Sequence, residues 1–73
     1  MLKVHVLSKN EISVGYGENA AKEIRVTFQA EGYPQLTTWI DKSKFNKENL
    51  KAMILDLMQR RLGVKEMEIE LVQ

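Results

Sequence analysis

Asn46 to Leu62 reads NKENLKAMILDLMQRRL, and it constrains the fold most because its start signal, period and stop signal all predict one helix. Asn46 is a suitable N-cap, since its side-chain oxygen can accept from the unpaired amides of the first turn. Phe45 and Leu50 then occupy the two positions that close a hydrophobic staple. Gly63 follows as the left-handed residue that ends a helix, and Arg60 and Arg61 sit where the negative end of the helix dipole favours cations.

At about 100° per residue, Leu50, Met53, Ile54 and Leu57 form the centre of an apolar stripe. Asn49, Ala52, Asp56, Gln59 and Arg60 form the opposite, solvated face, with Asp56 and Arg60 as a favourably ordered i,i+4 pair. Leu55, Met58 and Leu62 lie on one shoulder and widen the stripe to roughly 200°, about twice what a core-facing helix needs. Something is expected to cover that shoulder.

The rest of the chain alternates in the period of strands. Leu2, Val4 and Val6 oppose Lys3 and His5. Ser8 to Glu11 carries turn chemistry, after which Ile12, Val14 and Tyr16 alternate with Ser13 and Gly15, as a short second strand or as the continuation of a bent first one. Gly17 to Lys22 reads as a loop. In Glu23 to Glu31, Ile24, Val26, Phe28 and Ala30 share one face against Arg25, Thr27 and Gln29. Gly32, Tyr33 and Pro34 close a hairpin into Gln35 to Asp41, where Leu36, Thr38 and Ile40 oppose Thr37 and Trp39. After the helix, Met67, Ile69 and Leu71 alternate with Glu66, Glu68 and Glu70. One helix covers one face of a sheet, so the predicted fold is α+β. It has two layers, a mainly antiparallel sheet of about three to five strands in the order β(β)ββαβ with one helix packed on it.

With 73 residues the chain makes a single small domain, which buries only about 60% of its unfolded surface. The absence of cysteine excludes a disulfide scaffold and thiolate chemistry and fits a reducing compartment, so the expected location is cytoplasmic. MLKVHVLSKNE has no apolar signal region, and no run approaches the ~18 apolar residues of a membrane span, so an unprocessed chain without membrane association is expected. Formal net charge is +1, which provides no strong field for nucleic acid or membrane surfaces.

Chemistry-bearing patterns are few. Val14-Gly15-Tyr16-Gly17 spells the core of a potassium-channel filter, but that motif works only between membrane helices, so a turn or bulge is the reading. His5 is the one histidine and lacks the companions of a triad or metal site. Glu66, Glu68 and Glu70 share a strand face at roughly 6.5 to 7 Å spacing, which suits a solvated face paired with Lys3, His5 or Arg25 better than a cation site. No enzyme, cofactor or metal centre is expected.

Trp39 is the residue this pattern does not absorb. The parity that sends Leu36 and Ile40 toward the helix leaves Trp39 on the outer face beside Arg25. Two places are therefore expected to carry function: the shoulder Leu55, Met58 and Leu62 first, where self-association would put its twofold contact, and the outer face at Trp39 and Arg25 second. The competing expectation for the shoulder is that Ile12 to Tyr16 wraps over it. These surfaces suggest a non-catalytic protein-protein interaction module, self-associating as a homodimer or binding another protein. The alternative is a nucleic-acid-binding accessory protein using the open sheet face. A small isolated domain of this kind suits a phage or mobile-element accessory protein.

Overall fold

Alternation along Ile24, Val26, Phe28 and Ala30 gives the sheet one of its two inner strands. In the computed structural model the chain runs β1 (Leu2–Val14), β2 (Ala21–Ala30), β3 (Leu36–Asp41), a 3-10 turn (Lys42–Lys44), α1 (Lys47–Leu62) and β4 (Ile69–Val72). The structure describes residues 1–15, 17 and 20–72, so expectations that fall on Tyr16, Glu18 and Asn19 lie outside the described residues.

The strands form one sheet in the order β3-β2-β1-β4. β1 pairs antiparallel with β2, and β2 antiparallel with β3. β4 lies parallel to β1, from Leu2 opposite Ile69 to His5 opposite Val72. The sheet is therefore mixed, and α1 carries the crossover from β3 to β4, as a parallel return requires.

The helix starts and stops where its capping residues place it. Asn46 Oδ1 accepts from the Asn49 amide at 2.8 Å, and Gly63 ends the helix at φ 67°. Leu50, Ile54 and Met58, four residues apart, are its buried ridge, while Met53, Leu55, Leu57 and Leu62 are half-buried. Against the predicted stripe the helix is rotated by roughly 50° toward the shoulder. Met58 is 0% exposed, and Leu55 and Leu62 pack against the core, which corrects the expectation of an open shoulder. The cause is the chain after Gly63: Val64 donates its amide to Met58 O, and Val64 and Ile69 join Val4, Val26, Phe28, Ala30 and the helix ridge in one buried cluster.

β1 is one strand of 13 residues, longer than the sequence pattern indicated. Ser8 to Glu11 is strand rather than turn. Val4 and Val6 pair with Ala30 and Phe28, but Ser8 then pairs with Thr27, so Leu7 is an extra residue in a β-bulge. The bulge exchanges faces. Beyond it Lys9 and Glu11 stand opposite the inward Val26 and Ile24, while Asn10, Ile12 and Val14 turn to the outer face. Ile12 and Val14 thus point away from the helix, and the expectation that this segment covers the shoulder is corrected as well. The long molecular axis, 42 Å, matches the span of about 43 Å expected of β1 at ~3.3 Å per residue.

β4 begins only at Ile69, so of the three glutamates Glu70 alone stands in a strand, beside Lys3 of β1. Glu66 and Glu68 lie in the connection from α1, and the predicted row of three does not form.

Candidate interaction surface

The helix occupies one face of the sheet and leaves the other open, and the register fixes which side chains line it. Across the middle run Asn10, Arg25 and Trp39, direct neighbours on β1, β2 and β3. The next row is Ser8, Thr27 and Thr37, whose threonine hydroxyls lie 3.3 Å apart. On the other side stand Ile12, Glu23 and Asp41. Trp39 is 49% exposed and Arg25 is exposed, as parity requires of residues whose neighbours Ile40 and Val26 are buried.

Toward the β1 end of this face, His5 Nε2 lies 3.5 Å from Glu31 Oε1. His5, Leu7, Gln29, Ala30, Glu31 and Gly32 surround an open depression of about 250 Å³. Leu7 is 51% and Val14 47% exposed. Leu7 does not stand out in the sequence, and Val14 reads there as part of a turn and of a segment over the helix shoulder, because the bulge that displays them leaves no composition signal.

The helix side of β1 beyond the bulge is charged. Glu11 accepts from Lys42 and faces Lys22 at 3.8 Å. The Lys42 hydrogen bond, with help from both lysine charges, holds its carboxyl below the usual range. Asp41 Oδ1 accepts from the Ser43 amide at 2.9 Å and from Ser43 Oγ at 2.8 Å, bonds that also lower its pKa. These contacts close the turn between β3 and α1 and keep Asp41 at the margin of the outer face.

At the β1-β2 tip, Gly15 and Gly17 take φ of 104° and 76°, and the Ala20 amide donates to Gly17 O at 3.2 Å. This is turn geometry at those glycines, where any other residue would be strained. Among the described residues no three His, Cys, Asp or Glu side chains are placed to hold a metal ion. No helix among them is long and apolar enough to cross a membrane.

Of the five residues singled out in the sequence, the structure brings Trp39 and Arg25 together on one surface and sends Met58 to the core, with Leu55 and Leu62 half-buried around it. Comparison with known protein families, curated proteins and solved structures finds no match to this chain.

Proposed function

We propose that the chain is a non-catalytic protein-protein interaction module that works through the open face of its sheet. One observation carries the reading: a half-exposed tryptophan directly beside an exposed arginine, on a face that no element among the described residues covers. Tryptophan and arginine are the side chains that most often dominate protein interfaces, the first through apolar area and the second through planar, bidentate hydrogen bonding. The complementary partner presents an apolar side chain to Trp39 and a carboxylate to Arg25.

The same two residues suit a stacked base and a phosphate, and that is the competing reading. It is weaker because Glu23, Asp41 and Glu70 share the face with Arg25 and Lys3, and like charge repels a phosphate backbone. The test is capture from the source cell's extract on immobilised wild-type chain and on Trp39→Ala. A protein held by the wild type, lost from Trp39→Ala and retained as salt rises supports the reading. Identical capture by both chains overturns it, and polynucleotide lost steeply with salt replaces it with the second one.

A further inference from the structure

Strand pairing leaves three stretches of sheet edge open among the described residues: β1 beyond His5, the outer side of β4 and the outer side of β3. Folded proteins keep such edges from pairing by bulges, charged side chains and short strands. β1 has the bulge at Leu7 and the charged pair Lys9 and Glu11, and β4 is four residues long and carries Glu70. β3 differs: its first five residues, Leu36 to Ile40, contain neither a charge nor a proline, and its one charge, Asp41, stands at the end of the strand. Apolar surface flanks this edge on both sides. Trp39 is half-exposed on the outer side, and on the helix side a hollow of about 300 Å³ is lined by Ile40, Lys44, Asn49, Ala52 and Met53.

We propose that a second copy of this chain pairs antiparallel along β3 about a twofold axis through Thr38, continuing the sheet from one copy into the other. The inference rests on the chain being an interaction module and names the partner for this edge. In a twofold pairing that keeps the outer faces together, the axis passes through a residue, because facing residues then share parity. Centring on Thr38 pairs the whole uncharged run. Leu36 of the second copy comes opposite Ile40, next to the hollow, and Thr37 of the second copy comes opposite Trp39. Centring on Thr37 or Trp39 displaces the run and leaves part of it unpaired. The charges at its ends complement one another: Asp41, Lys42 and Lys44, together net positive, meet the 31–35 turn of the second copy, whose one charged residue is Glu31. The contact is isologous, so it closes at two copies rather than growing into a fibre.

The chain has no cysteine, so single introduced cysteines report the register cleanly. Directly opposed residues of an antiparallel pair have Cα atoms about 4.5 to 5.5 Å apart, within disulfide reach. Under mild oxidation Thr38→Cys is expected to give a linked species of twice 8.5 kDa. Thr37→Cys alone and Trp39→Cys alone are expected to remain single chains, and their mixture to cross-link. Thr38→Cys staying at one chain's mass overturns the proposal, and so does equal cross-linking by all three variants. Should Thr38→Cys fold poorly by circular dichroism, the mixture decides by itself. Capture on Trp39→Ala reads the outer face whether or not the edge pairs, so failure of one result leaves the other standing.

Discussion

Arg25 and Trp39 stand directly opposite one another on β2 and β3, on the face of the sheet turned away from α1. Because Trp39 is half-exposed, its removal deletes a cross-strand pair without opening a cavity. Trp39→Ala is expected to cost about 1 kcal/mol or less in urea denaturation, the scale of such pairs, while reducing partner binding at least tenfold. A loss of several kcal/mol would show that Trp39 acts as core.

Met58 and Leu57 are adjacent in sequence and differ in burial, which gives the helix rotation a direct test. Met58 is fully buried, so Met58→Ala is expected to cost about 2 to 5 kcal/mol. Leu57 is half-buried, so Leu57→Ala is expected to cost less than about 2 kcal/mol. Urea midpoints measured side by side read the difference, and the reverse order would put Leu57 at the centre of the buried face.

The first turn of α1 depends on a single side chain for one of its otherwise unpaired amides. Asn46→Ala removes the acceptor of the Asn49 amide and is expected to cost about 1 kcal/mol, whereas Asn46→Asp keeps an acceptor and is expected to hold stability within about 0.5 kcal/mol. Thermal unfolding of the two variants checks the contrast.

Glu11 and Asp41 make stability depend on acid. Both carboxyls have lowered pKa values in the folded chain, Glu11 through the Lys42 hydrogen bond and Asp41 through the bonds from Ser43. Folding therefore favours their ionised forms. That contribution is complete above the ordinary carboxylate values and disappears as pH falls through the lower folded ones. Denaturation midpoints measured downward from about pH 4.5 are expected to fall less steeply for Glu11→Gln with Asp41→Asn than for the wild type. Equal slopes would remove these two groups as the source.

What the sequence disclosed follows from how local each signal is. The ends of α1 were legible because Asn46 and Gly63 act on their own turn of backbone. The alternation of β2 was legible because Val26 and Phe28 face a core while Arg25 and Gln29 face water. The middle of β1 was not, because its polar run Ser8 to Glu11 stands at an open edge, exposed on both faces, and has the composition of a turn. The orientation of Met58 was not legible either, since it depends on where the chain goes after Gly63 and on the pairing of β4 beside β1. Trp39 was placed on the outer face by parity alone, and the hollow beside Ile40 and Met53 emerges only when helix and strand are brought together.

The bulge at Leu7 works as a phase shifter. Even-numbered residues face the core before it and water after it, so Leu2, Val4 and Val6 are separated in role from Ile12 and Val14 by one amino acid. A single-codon deletion there would restore one phase along β1. Ser8 would then follow Val6 directly and keep Thr27 as its partner, so Ile12 and Val14 would stay on the outer face and Lys9 and Glu11 on the helix side. The two faces of β1 are therefore set by the pairing on either side of Leu7, and the loss of that one unpaired residue would leave both of them as they are.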